Sequence, residues 1–261
     1  MSLPSAYSAR KSNRGKIDGI TPKHSKVGRL FRAKGGGIVR TLGLETSTRR
    51  GSVALLENGQ VVRCLEHEQQ NSHAERLLPL VEQALSEAGW PKSSLDRLGV
   101  GVGPGSFTGL RVGIALAEGL SVGLDRPLLG IGSLLAMAHG ALAERPTGPC
   151  CALLDARREE LFAAVYVDGT RELHAPVALP IEDLQNFLGN SQVATVVGEV
   201  ARELTLGSLY LASALLDLPH ARWVAALAAE LEESAFPPEP QYVRGIGATL
   251  PNLPPSPLKA Q

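Results

Sequence analysis

Disulfides cannot hold this chain together. Its only cysteines are Cys64, Cys150 and Cys151, an odd set with two adjacent members, which is no pairing framework and points to a reducing, cytoplasmic compartment. Long uncharged apolar runs are missing too. The nearest, residues 109–124, is broken by Arg111 and Glu118, so no membrane span is expected, and no apolar signal-peptide core follows Met1. The histidines stand at 24, 67, 73, 139, 174 and 220. No two are four apart on a helical stretch and no Cys–His cluster has zinc spacing, so no metal site is expected. The Gly-rich turn at 103–106 has neither the Gly-Lys-Ser/Thr of a Walker loop nor a GxSxG nucleophile elbow.

Net charge is absent only in total. Residues 1–36 hold nine Lys or Arg against Asp18, a net of +8, which leaves the rest of the chain, with 17 bases and 25 acids, at −8. The basic segment is Gly- and Ser-rich and without apolar periodicity, so it reads as a disordered extension. The sharper alternatives for it are an RNA-contacting arm and a transit peptide. The acidic body is a poor non-specific binder of nucleic acid, because phosphate neutralisation needs Lys and Arg. At 261 residues with 44% hydrophobic and 20% charged, it is long enough for one large domain or two small ones with a buried core.

What the chain does contain is regular. Residues 38–44 read as a strand, and 51–57 and 60–68 as a hairpin around Asn58-Gly59. Residues 73–88 have helical spacing, with Asn71 and Ser72 as caps, Pro79 inside and Gly89 at the end. A strand through 95–103, a helix over about 107–123, a strand at 127–133 and a helix at 134–142 follow. The order βββαβαβα predicts a mixed sheet flanked by helices. The second half repeats the plan loosely. Its strands are at 151–157, 160–167, around 172 and at 192–199. Its helices are at 181–188, 207–217 and 221–234. These readings predict lobes at 37–143 and 144–244 and a loose tail at 245–261.

Two turns could hold phosphate. Glu45-Thr46-Ser47-Thr48 joins two strands and offers hydroxyls and N–H groups; Gly103, Gly105 and Ser106 precede a helix N-terminus. Ordinary turn chemistry explains both as well, so Thr46, Ser47, Gly103, Gly105 and Ser106 are weak candidates. The helix at 107–123 is more specific. Small residues recur in two rows, Gly109, Gly113, Ala117, Ser121 and Ala115, Gly119, Gly123. Each interior Gly costs about 0.8–1 kcal/mol against Ala, and close approach of another backbone would offset that, from this chain or from a partner.

The segments LGLETST, NSHAERLLPLVEQAL, GVGPGSFTGLRVGIALAEGLS, LLDARREELFAAVY and PEPQYVR together resemble the TsaB (YeaZ) family over residues 38–244. The resemblance implies two ribonuclease-H-like lobes of the actin-like ATPase class. It implies a non-catalytic accessory subunit in tRNA threonylcarbamoyladenosine synthesis, with no cofactor of its own. Its partners would be the catalytic paralogue TsaD, which modifies adenosine 37 of ANN-decoding tRNAs, and the ATPase TsaE. Tolerated beside this are a homodimer, ATP at the interface with the partner complex, and tRNA contact through that complex. TsaD carries a His-x-x-x-His metal helix and active relatives open the nucleotide turn with Asp; here no such histidine pair occurs and Glu45 stands at the turn. The family contact implies an interface of Leu77, Val81, Leu85, Gly109, Leu110, Arg111, Gly113 and Ala117, so that Gly113→Leu would block docking in a folded monomer. The alternative is an enzyme, a glycoprotease-like peptidase or an independent actin-like-fold ATPase.

Overall fold

The computed structural model describes residues 38–68, 72–189 and 191–243; the basic extension, the tail and the cap expected at Asn71 lie outside them. Two five-stranded mixed sheets form the frame. The first contains β1 (Arg40–Glu45), β2 (Gly51–Glu57), β3 (Gln60–His67), β4 (Arg97–Gly103) and β5 (Leu128–Gly132), in the order β3-β2-β1-β4-β5. β1 to β3 pair antiparallel, and β4 and β5 extend the sheet parallel. The second contains β6 (Cys150–Arg157), β7 (Glu160–Tyr166), β8 (Glu172–Pro180), β9 (Thr195–Val197) and β10 (Tyr210–Leu211), ordered β10-β9-β6-β7-β8. Read from β8, this is the same plan, antiparallel hairpins followed by parallel strands. The duplicated ribonuclease-H-like lobe is therefore present as topology.

Local chemistry accounts for the hairpin and the helix ends. Asn58 and Gly59 both have positive φ, 49° and 76°, as a two-residue hairpin turn of the right twist requires. Helix α1 (His73–Ala88) ends on Gly89 in the left-handed region. It starts before Pro79 rather than after it, and Ser72 makes no side-chain cap. Helix α2 (Phe107–Leu124) is capped by Ser106, whose hydroxyl accepts from the Gly109 N–H at 3.2 Å. Helix α3 (Ser133–Glu144) follows β5 directly.

The lobes exchange helices. Leu42 and Leu44 on one face of β1 pack with Leu77, Val81, Leu85, Leu110 and Ile114 of α1 and α2. The opposite face receives helix α5 (Ala221–Glu230), although α5 comes from the second half. There a side chain on Gly43 would strike Ala225, and one on Gly99 would strike Ala228, so glycines on the strands admit an Ala-rich helix at close range. Both ends of α5 are tied to the first sheet. Ala221 N–H donates to Ser52 Oγ at 2.9 Å, and Arg97 donates to the carbonyls of Ala229 and Leu231 at 3.0 and 2.8 Å. Conversely, α3 packs on β6, β7 and β9. Cys150, Ala152 and Leu154 face this shared inner layer, while the alternate residues Cys151 and Leu153 face the short helix α4 (Leu184–Gly189). The boundary expected near residue 144 is thus a boundary in chain and not in packing. The helix expected at 207–217 is instead the short strand β10 and a 3-10 turn at Ala214–Leu216, because Tyr210 and Ala212 donate to Ala194 and Val196 beside β9.

Candidate functional site

The polar turn after β1 sits at the crossing of both lobes, where the sequence places its phosphate candidates. Glu45, Thr46 and Ser47 are all buried, at 0–1% exposure. The Ser47 N–H donates to Glu45 Oε1 at 2.7 Å and the Ser133 hydroxyl to Oε2 at 3.2 Å. Burial pushes the Glu45 carboxyl above its usual range, against the opposing pull of these bonds. Ser106 N–H donates to the Ser47 carbonyl at 2.6 Å, and the Thr46 hydroxyl to the Gly109 carbonyl at 2.8 Å. A methyl group on Gly105 would land on the Ser47 carbonyl, and one on Gly109 or Gly113 on Thr46. The two turns are packed onto each other, so the space a phosphate would need between them is filled by this chain.

Two further contacts close the same region. Residues 236–241 run across the ends of β4 and β5, with Gly130 N–H donating to the Phe236 carbonyl and Gln241 N–H to the Val102 carbonyl, both at 2.8 Å. A side chain on Gly103, where φ is +101°, would strike Leu110. Arg49, at the β1–β2 turn, grips Glu199 of the second lobe in a two-pronged ion pair of 2.7 and 2.8 Å.

A Cys–His–Glu cluster, unforeseen in the sequence, joins β3 to the start of α5. It is not a nucleophilic triad. His220 Nε2 lies 3.2 Å from Glu66, and its Nδ1 accepts from the Arg222 N–H as a helix cap. Both ring nitrogens are engaged, so neither is free to deprotonate Cys64, whose Sγ stands 3.7–3.8 Å from them. Burial pushes the Cys64 thiol up to about 11, the wrong direction for a nucleophile. His73 is buried; its Nε2 bonds to the Thr48 carbonyl at 2.9 Å and its Nδ1 faces His67 at 3.2 Å. Among the described residues no group of three His, Cys, Asp or Glu could hold a metal.

The two outer helices correct the expected interface. Leu77, Val81, Leu85, Leu110 and Ala117 lie in the core of the first lobe, and Gly109 and Gly113 are buried against Thr46. These seven cannot form a surface. Of the named set only Arg111 is exposed. The other row of small residues is the outward one: a side chain on Gly119 or Gly123 would meet nothing within 4 Å. Beside it stand Phe107 and Val122, 54% and 84% exposed, with Leu78 of α1 at 40%. Helix α2 is long and apolar enough to cross a membrane by length and composition, yet its inner residues belong to the lobe core. The missed residues carried one signal, large apolar side chains off the buried spacing.

Comparison with known proteins agrees with this geometry. The family model described as TsaD, tRNA N6-adenosine threonylcarbamoyltransferase, matches residues 64–240. The tRNA threonylcarbamoyladenosine biosynthesis protein TsaB of Escherichia coli is 38% identical over 128 residues, 49% of this chain and 55% of that one. Its Haemophilus influenzae counterpart is 40% identical over 126 residues, 48% and 53%. The chain thus spans about half the length of these curated relatives. The solved structure of YeaZ from Pseudomonas aeruginosa aligns with a TM-score of 0.64 and 32% identity over 78% of this chain and 99% of that one. A match of this extent, on a doubled ribonuclease-H-like frame, means that the chain belongs to the TsaB (YeaZ) family of tRNA threonylcarbamoyladenosine biosynthesis proteins.

Proposed function

We propose that the chain is a non-catalytic subunit that docks a catalytic threonylcarbamoyltransferase of the TsaD type and supports its modification of adenosine 37 in ANN-decoding tRNAs. One observation carries the reading: α2 is an apolar helix of 18 residues of which five are buried, and Phe107 and Val122 stand on the rest. An apolar helix face of this kind marks a protein-interaction surface. The partner would seat on the outer sides of α1 and α2, over an area on the order of 1,200–2,000 Å². Chemistry, any nucleotide and the TsaE-type ATPase would then belong to the partner complex, and tRNA would be met through it. The packed turn at Thr46–Ser47 and the engaged His220 support a subunit without a reaction of its own.

The test is co-purification with a TsaD-type transferase followed by a tRNA modification assay. The expected result is a complex through the α1–α2 face, with modification that depends on both proteins. Substantial ATP turnover or peptide cleavage by the isolated chain, or modification of tRNA by it alone, would overturn the proposal in favour of an enzyme.

A further inference from the structure

Two arginines converge on one carboxylate where β3 meets the start of α5. Arg50 stands just before β2, Glu66 is on β3 and Arg222 is in the first turn of α5. Glu66 Oε2 lies 3.2 Å from His220 Nε2 and 3.6 Å from Arg50 Nε. The first distance is that of a hydrogen bond and the second is too long for one. The His220 bond, followed by the charges of Arg50 and Arg222, holds the Glu66 carboxyl below its usual range, which places both cations around the same point. Arg222 also donates toward the Cys64 thiol, against the burial that raises it. Yet neither arginine Nε has an acceptor among the described residues, and both atoms are shielded from solvent. A buried donor of a charged group is costly to leave unbonded, so each calls for a partner. Burial keeps His220 neutral. Two guanidinium groups against one carboxylate therefore leave the cluster net positive, in a body that is acidic overall.

We propose that this cluster binds a doubly charged phosphate group, free or as the monoester of a small molecule, between Arg50 and Arg222, with Glu66 as its gate. Glu66 is the mobile member by exposure: 50% of its side chain meets solvent, against 14% for Arg50 and 12% for His220. Turning outward, it leaves two guanidinium groups that a dianion matches in charge. Phosphate also matches them in geometry, since a planar guanidinium fork bonds two oxygens at once. A monocarboxylate would only replace Glu66 and leave the positive excess standing. A polyanion finds no continuation, because the neighbouring Arg49 is taken up by Glu199 and nucleic acid needs a track of such cations. His220 completes the site. Its Nδ1 accepts from the Arg222 N–H, so in the neutral ring the proton is on Nε2, which donates to Glu66 now and to a phosphate oxygen once the gate turns. The start of α5 lends only its dipole, since the Ala221 N–H already goes to Ser52 Oγ and the Arg222 N–H to His220.

The experiment is calorimetric titration of the full chain with inorganic phosphate, against chloride at equal ionic strength. One site with a Kd of about 1 mM or tighter is expected, together with a rise in Tm as phosphate is added. Arg222→Gln keeps the main-chain N–H of the cap and is expected to weaken binding about tenfold or more, as is Arg50→Gln. Arg111→Gln changes the net charge equally at a distant exposed position and should leave the affinity as it is. Glu66→Gln should tighten binding about threefold or more, because the competing charge is gone, and it decides the case if an arginine variant does not fold. Glycerol phosphate in place of inorganic phosphate separates the sources: equal binding assigns the site to monoesters, and binding of inorganic phosphate alone assigns it to the free ion. Phosphate no better than chloride, or an equal effect of Arg222→Gln and Arg111→Gln, would overturn the site. An affinity unmoved or weakened by Glu66→Gln would mean that this carboxylate is a fixed structural counterion, and would overturn the proposal as well.

Discussion

Glu45 at the end of β1 and Ser133 at the start of α3 are joined by a buried hydrogen bond of 3.2 Å, with neither residue exposed to solvent. The carboxyl group accepts from the Ser47 N–H and the Ser133 hydroxyl, and burial raises its pKa above the ordinary 4.5. A group with a raised folded-state pKa binds more protons folded than unfolded between the two values, so its contribution to stability falls as pH rises through that window. Glu45→Gln keeps an acceptor for the Ser47 N–H and an NH2 that reaches the Ser133 oxygen, and it removes the charge. The variant is expected to be more stable at pH 7–8 by about 1 kcal/mol, a rise in Tm of roughly 2–4 °C, with the gap narrowing toward pH 4. Thermal melts across that range check it, and a less stable variant at neutral pH would refute it.

Gly113 and Gly119 sit six residues apart on α2 and face opposite ways. Gly113→Leu would drive its side chain into Thr46 and is expected to destabilise the chain by ~3 kcal/mol or more, as overpacking against a fixed turn does. Gly119→Leu points into open space. It should leave Tm within a few degrees of wild type while reducing transferase binding. The pair reverses the expectation that Gly113 guards the interface. Equal melting temperatures for the two variants would show that the inner row is not packed.

That reversal shows where the sequence stops being readable. The element order of the first lobe follows from periodicity and turn residues, because Asn58-Gly59, Gly89 and Ser106 act within a few residues of themselves. The face of α2 does not follow, since both small-residue rows have the same four-residue spacing and only the distant turn at Thr46 decides which is inward. The same holds for α5, whose place on the first sheet depends on Gly43 and Gly99, more than a hundred residues earlier. Residues 207–217 carry a helical pattern but are captured by the edge of β9, a long-range pairing that local spacing cannot register. Of the phosphate candidates, the sequence located the turns correctly and could not reveal that each is packed against the other.

The three thiols should be silent in the folded chain. Burial pushes Cys64 to about 11 and Cys150 to about 12, and raises Cys151 as well. Thiolate is the reacting form, so a thiol reagent at pH 7.4 is expected to label none of them within minutes and all three after denaturation. Rapid labelling of one thiol at Cys64 in the native chain would reopen the case for a nucleophile beside His220.

Histidine burial predicts the acid side of the stability curve, with a sign opposite to that of Glu45. His220, His139 and His67 all have pKa values lowered from 6.5, in each case chiefly by burial, with His73 and Arg76 adding to the effect at His67. Below 6.5 the unfolded chain takes up these protons and the folded chain resists them, so stability rises with pH through this window and levels off above about 6.5. The wild type is expected to lose Tm between pH 7 and pH 5. His220→Asn retains an N-cap acceptor for the Arg222 N–H and removes one titrating ring, so its own drop over the same interval should be smaller, even if it starts from a lower Tm. The comparison is cleanest on the Glu45→Gln background, where the opposing carboxylate contribution is gone. An identical drop with and without His220 would mean that its ring titrates alike in the folded and unfolded chain, and a larger drop in the variant would mean that Glu66 holds the ring charged.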